Sequence, residues 1–186
     1  MRVISGSAKG IRLVSVPGKS TRPITDQVKE ALFNIIGPRV VGAIFLDLFG
    51  GTGAVGIEAL SRGAEHVVFL DINYQAYRVI QKNLKTTGLS PYATVLKKDA
   101  FAYLKEEAQQ AYDYVYIAPP QYRSMWEKAM LALDQNPAWV SHTGSVIVQI
   151  HPKEYKKDII YTNFEEFDQR AYGDTLLVFY SRVPSN

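Results

Sequence analysis

The 186-residue sequence contains no cysteine, which excludes disulfides and thiolate metal sites. It has no apolar run approaching the roughly 18 residues that span a bilayer. Its opening stretch, MRVISGSAKG, has no signal-peptide h-region. These absences point to the cytoplasm and away from a membrane partner. The histidines His66, His142 and His151 form no metal constellation, so no metal is expected. Internal repeats and low-complexity segments are also missing. Residues 1–25 contain no acidic residue, although they carry Arg2, Lys9, Arg12, Lys19 and Arg22. A basic arm of this kind is either a footprint for a polyanion or a solvated edge. The net charge of +3 is too small to imply nucleic acid by itself.

A hydrophobic share of 47% and a charged share of 21% are ordinary for a globular chain, and the length suffices for one core. Val3-Ile4 and residues 11–16 read as short strands. Thr25 can cap a helix whose apolar positions Val28, Ala31, Leu32 and Ile35 follow one helical stripe, ended by Gly37-Pro38. From residue 43 strands and helices alternate. Strands are predicted at 43–48, 66–70, 93–96 and 112–117. Between and after them, helices are predicted at 54–61, after Asn73 as far as Gly88, at 101–110 and at 125–133. Late strands follow at 145–150, 164–172 and 175–181. This alternation predicts an α/β fold, a doubly wound, mostly parallel Rossmann-like sheet with an antiparallel edge hairpin. Residues 1–38 would be a basic N-terminal hairpin and helix extension, and 39–186 the main domain. In such sheets ligands bind at the carboxyl ends of the strands.

The first of these strands runs into DLFGGTGAVGIEAL. Gly51, Gly53 and Gly56 spell G-x-G-x-x-G, and Asp71 follows at the end of the second strand. Strand, glycine loop, helix, strand and acid in that order point to a nucleotide-type ligand, the acid accepting from ribose hydroxyls or capping the next helix. No Lys-Ser/Thr follows the glycines, which excludes a P-loop. A dinucleotide remains a rival. Asp47, just before the loop, favours S-adenosylmethionine, because an anion there can hold the loop or meet the ammonium of a methionine moiety, directly or through water, whereas a pyrophosphate gains nothing from it. Asp99, after the third strand, can accept from an adenine amino group or cap the next helix.

The fourth strand ends in YIAPPQY, two consecutive prolines that stop sheet pairing. Amino-group methyltransferases often carry Asp or Asn, two prolines and an aromatic at this place. An exocyclic base amine is a poor nucleophile, and acceptors on its two hydrogens turn its lone pair towards the methyl donor. Here Ala118 stands in the acceptor position and Gln121 in the aromatic one.

The chain as a whole resembles the RsmD-type 16S rRNA guanine-N2 methyltransferases. The resemblance rests on ISGSAKG (residues 4–10), TRPITDQVKEALFNI (21–35), DLFGGTGAVGIEALSRGA (47–64), Asp71, Asp99, the strand into Pro119-Pro120, and YGDTLLVFY (172–180). It implies a class I methyltransferase fold and S-adenosylmethionine as cofactor. It also implies a guanine in 16S rRNA as substrate, within assembled or assembling small ribosomal subunits. The cofactor would be held by Asp47, Phe49, Gly50, Gly51, Gly53, Asp71, Ile72, Asp99 and Ala100. The catalytic turn would be Ala118, Pro119, Pro120, Gln121 and Tyr122. Lys9, Arg12 and Arg22 would contact RNA. Three readings of the altered turn stay open. Gln121 supplies the acceptor and Tyr122 the stacking ring; or the Pro119 carbonyl suffices with weaker activity; or binding survives without catalysis.

Overall fold

The computed structural model describes residues 1–18 and 24–184. Its helices are α1 (Asp26–Ile36), α2 (Ala54–Ser61), α3 (Tyr74–Thr87), α4 (Ala100–Leu104) and α5 (Met125–Gln135). Its strands are β1 (Ile44–Asp47), β2 (His66–Leu70), β3 (Ala93–Leu96), β4 (Tyr112–Ile117), β5 (Val140–Ile150), β6 (Phe164–Tyr172) and β7 (Thr175–Arg182). They form one sheet in the order β3-β2-β1-β4-β5-β7-β6. The first five strands pair in parallel, and β7 runs antiparallel between β5 and β6. This is the doubly wound sheet with an antiparallel edge that the alternation predicts.

The chain leaves β1, builds β2 and β3 outward on one side, then crosses back to place β4 on the other. The switch point therefore lies between β1 and β4, and their carboxyl ends flank a crevice. The central strands are apolar on both faces because helices cover both. One apolar cluster joins Phe45, Val67 and Phe69 to Leu32, Ile57 and Ile80 of α1, α2 and α3. The other joins Leu46, Val115 and Val148 to Leu104, Trp126 and Met130 of α4 and α5. Among the described residues, no helix is long and apolar enough to cross a membrane.

Local chemistry sets the helix ends. The hydroxyl of Thr25 accepts from the Val28 N–H at 3.3 Å, and the side chain of Asn73 accepts from the Gln75 N–H at 2.8 Å. Gly88 ends α3 in the left-handed conformation.

Four elements differ from the sequence expectation. The N-terminal hairpin is reduced to a single antiparallel bridge, Arg2 with Arg12, flanked by bonds from Val3 to Ile11 and from Gly10 to Val3. The backbone of residues 4–8 is instead drawn to side chains of α2. The fourth helix stops at Leu104 rather than running to 110. The carbonyl of Leu104 is taken by the indole N–H of Trp139 at 3.1 Å, and Asn136 donates to that of Glu106 at 3.0 Å. Strand β5 starts five residues earlier than expected and carries a register shift opposite Tyr112 and Tyr114. The buried stripe of α1 is Val28, Lys29, Leu32, Phe33 and Ile36, leaving Ala31 and Ile35 at its margin.

Lys29 is fully buried, as is its partner Glu58 on α2. Glu58 accepts from the N–H groups of Ile4 at 2.8 Å and Ser5 at 3.0 Å, and from Arg62 Nε at 2.8 Å. Lys29 Nζ lies 3.3 Å from it and donates to the carbonyl of Arg2 at 2.5 Å. Burial pushes the Lys29 ammonium down, and Glu58 opposes that shift. The ISGSAKG stretch is thus clamped to the helix that follows the glycine loop. On α3, the buried side chain of Asn83 grips Val14 in both directions and donates to the carbonyl of Thr52 in the loop at 2.9 Å.

Candidate active site

The glycine loop turns sharply after β1. Gly53, at φ 77°, is the left-handed residue that opens α2. Gly56 lets α2 lie against β2, since a Cβ there would sit 2.3 Å from the Phe69 ring. These two glycines answer the motif's needs for a turn and for close helix–strand packing.

A cleft of about 350 Å³ opens beside the loop. Asp47, Phe49, Gly50 and Gly51 line one wall, and Ala118, Pro119, Pro120 and Gln121 line the other. The structure thus joins the glycine loop and the double proline, 68 residues apart between Gly51 and Pro119, in one cavity, while Gly53 lies just outside its lining. The cavity falls within the size range of small-molecule sites.

Asp47 is buried at 3% exposure, and its Oδ1 has no hydrogen-bond donor among the described residues. Burial pushes its carboxyl up to about 7, and the charge of Asp71 adds to the shift, while the Phe49 N–H opposes it. A buried acceptor without a donor is costly unless a ligand supplies one. A cationic ammonium on the cleft side fits that need.

The sign of this shift gives a test. Unfolded, the group holds its proton only below about 3.8; folded, it holds it to about 7. Between those pH values the folded chain binds the extra proton. Stability without ligand is therefore expected to fall by about 3 kcal/mol as pH rises from 4 to 7. Asp47→Asn should flatten that slope in thermal melts and weaken the affinity for an ammonium-bearing ligand about tenfold. An unchanged slope would show that Asp47 ionises elsewhere.

Asp71 does not line the cleft but fixes its wall. Its Oδ2 accepts from the Gly51 N–H at 2.9 Å and its Oδ1 from the Asn73 N–H at 2.8 Å. Asn73, not Asp71, caps α3. Each carboxylate oxygen keeps a second lone pair for a ligand hydroxyl. Ile72 is exposed at 67% beside it. Asp99 caps α4, accepting from Ala102 at 2.8 Å, and Ala100 is buried behind it. Asp99 and Ala100 lie outside the cleft but along the same carboxyl edge, in the order of strands β3, β2 and β1.

Tyr122 is separated from the other residues of its turn. Its N–H donates to Glu154 at 2.7 Å, and its ring tilts against His151 at 5.5 Å. It has φ 60°, a left-handed conformation that turns the chain away from the cleft. Gln121 keeps its amide free of hydrogen-bond partners among the described residues. Lys9 and Arg12 are exposed on the N-terminal arm. Arg22 lies outside the described residues.

Tyr116, Gln149 and Arg123 also line the cleft, although the sequence expectation assigns none of them to the site. Tyr116 and Gln149, on neighbouring strands, are joined by a bond from the Tyr116 hydroxyl to Gln149 Oε1. Burial, and then the charge of Asp47, raises the Tyr116 hydroxyl well above its ordinary value, so it stays neutral. Arg123 brings a guanidinium to the rim. Gln149 stands at the carboxyl end of β5, so the rule that ligands sit at strand ends could have found it.

A family model described as "Conserved hypothetical protein 95" matches residues 1–181. The Bacillus subtilis (strain 168) protein named "Putative rRNA methyltransferase YlbH" is 39% identical over 184 residues, 98% of this chain and 99% of that protein. "Ribosomal RNA small subunit methyltransferase D" of Escherichia coli (strain K12) is 32% identical over 149 residues, covering 80% of this chain and 74% of that one. Among solved structures, "Putative methyltransferase yhhF from Escherichia coli" superposes with a TM-score of 0.84 at 30% identity, over 98% of this chain and 97% of that chain. With its sheet order, its glycine loop and its full-length match, the chain belongs to the family of conserved hypothetical protein 95, the RsmD-type methyltransferases.

Proposed function

We propose that this protein transfers a methyl group from S-adenosylmethionine to the N2 amine of a guanine in 16S rRNA, in the cytoplasm, on assembled or assembling small ribosomal subunits. One observation carries the reading. A single cleft joins a buried carboxylate oxygen without a donor, beside a glycine loop, to a rigid Pro119-Pro120 turn. The relatives named as rRNA methyltransferases support the substrate class.

Asp47 would receive the ammonium of the methionine moiety, and the loop of Gly50, Gly51 and Gly53 would let the ligand approach the backbone. Asp71 would hold both the loop and the ribose hydroxyls, with Ile72, Asp99 and Ala100 along the adenine end. S-adenosylmethionine supplies a methyl group already activated on a sulfonium, so this chain's task is positioning. The Pro119 carbonyl and the free amide oxygen of Gln121 would accept the two amine hydrogens and aim the nitrogen. Ala118 leaves room for the base, and its side chain offers no acceptor. Tyr122 reaches a base only if its contacts with Glu154 and His151 release. Lys9, Arg12 and Arg22 would grip RNA phosphates while the guanine is turned out of its stack.

A second reading, RNA binding without turnover, is favoured by Ala118 alone. Purified protein with methyl-labelled S-adenosylmethionine and small subunits from cells lacking the enzyme separates the two. The proposal expects label in the RNA at close to one methyl per subunit. Subunits that bind the protein yet take up no label would establish the second reading.

A further inference from the structure

We infer that the outer face of α3, with the strand of chain at Val14–Pro17 beside it, is a docking track for a single-stranded segment of the substrate RNA. The inference rests on the proposed function, because it takes the substrate to be RNA. It concerns a surface outside the methyl-transfer cleft.

Helix α3, YQAYRVIQKNLKTT, carries Arg78, Lys82 and Lys85 and no acid. The three bases recur at i, i+4 and i+7, so they share one exposed face, where each repels the next. None of them has a carboxylate partner among the described residues, although seven other ion pairs are present there. A helix face that collects like charge without counter-charge suits a polyanion.

The face is also shaped. Arg78, Lys82 and Lys85 line a groove of about 450 Å³ whose opposite wall is Val14, Ser15 and Pro17. That wall is fixed, not draped. Asn83, fully buried on the inner side of the same helix, accepts from the Val14 N–H at 2.8 Å and donates to its carbonyl at 3.0 Å.

The upper end of the track is aromatic. Tyr74, 56% exposed, stacks with Tyr77 at 6.3 Å, and Lys97 Nζ lies 5.5 Å over the Tyr74 ring. Tyr74 stands in the first turn of α3, one turn beyond Asp71, at the carboxyl edge where the cleft opens. From Tyr74 to Lys85 the helix runs about 16 Å. The exposed Tyr74 ring, backed by the half-buried Tyr77 and followed by a row of cations, makes a stacking platform with an electrostatic track, the combination that holds unpaired nucleotides. A duplex has no unstacked base for Tyr74, so the occupant is a single strand. RNA lying here would lead its next nucleotides over the edge of the sheet towards the cleft.

The test uses the full chain and a fluorescent single-stranded RNA oligonucleotide, read by anisotropy over a salt series. Duplex DNA and polyglutamate serve as competitors. Arg78→Glu/Lys82→Glu/Lys85→Glu is expected to weaken RNA binding at least tenfold and to lower the slope of log affinity against log salt by about 2. Tyr74→Ala should weaken it about tenfold with the slope unchanged. Both variants should keep the wild-type melting temperature and cofactor affinity, since these side chains face water.

Equal RNA affinity and slope in wild type and triple variant would overturn the docking track while leaving the proposed methylation intact. If polyglutamate displaces the RNA as well as RNA itself does, the face is a general polyanion surface and the inference also fails. Wild-type protein that binds no RNA and labels none would overturn the proposed function and this inference together.

Discussion

Replacing Glu58 by alanine is expected to destabilise the protein by about 3–5 kcal/mol, the usual cost of stranding one member of a buried ion pair. The variant removes the acceptor of two backbone N–H groups, Ile4 and Ser5, and of Arg62. It leaves the Lys29 ammonium at 0% exposure with only the Arg2 carbonyl to hold it. For a chain of this size the melting temperature should drop by about 10 °C or more. Pairing Lys29→Met with Glu58→Leu removes both charges and should recover part of the loss, since no charge is then buried alone. Recovery should be incomplete, because Ile4 and Ser5 still lose their acceptor. Melting within 2 °C of wild type for Glu58→Ala would contradict the hub. The consequence for function is local: residues 1–8 are held to α2, so freeing them loosens the helix that begins at the glycine loop.

Gln121→Ala is expected to lower kcat/KM for RNA methylation about 10- to 100-fold, the worth of one acceptor at the transition state. The affinity for cofactor should not move, because in the proposed arrangement Asp47 and the glycine loop, on the opposite wall of the cleft, would hold that ligand. Adding Ala118→Asp in the same chain should restore much of the rate, since it returns an acceptor to the start of the double-proline turn. This pair of variants also separates the readings of the motif. Rescue by Ala118→Asp together with a loss in Gln121→Ala assigns the acceptor to Gln121. No loss in Gln121→Ala leaves the Pro119 carbonyl as sole acceptor. Ala118→Asp alone should raise the rate little if Gln121 already fills the role.

The fold was legible because its signals are local. Strands β1 to β4 are apolar runs bounded by glycine, proline or capping residues, and Thr25, Asn73 and Gly88 do mark helix ends. The motif Gly51, Gly53, Gly56 was legible because conformation and close packing demand glycine. What stayed hidden depends on distant partners. Lys29 reads as a surface residue, since the acid that permits its burial stands 29 positions later on another helix. The early end of α4 depends on Trp139 and Asn136, more than 30 residues downstream. In the site, the strand-end rule located Asp47 and Pro119. Tyr122 read as part of the cleft because it follows Gln121, but a left-handed turn and Glu154 redirect it. The Tyr116–Gln149 pair crosses two strands and has no sequence signature.

The most direct measurement is nucleoside mass spectrometry on small-subunit RNA after incubation with purified protein and methyl-labelled S-adenosylmethionine, run beside Gln121→Ala. The account predicts labelled N2-methylguanosine at one position, strongly reduced in the variant. Label on a ring nitrogen, on a ribose oxygen or on no nucleoside would contradict a cleft built to grip an exocyclic amine.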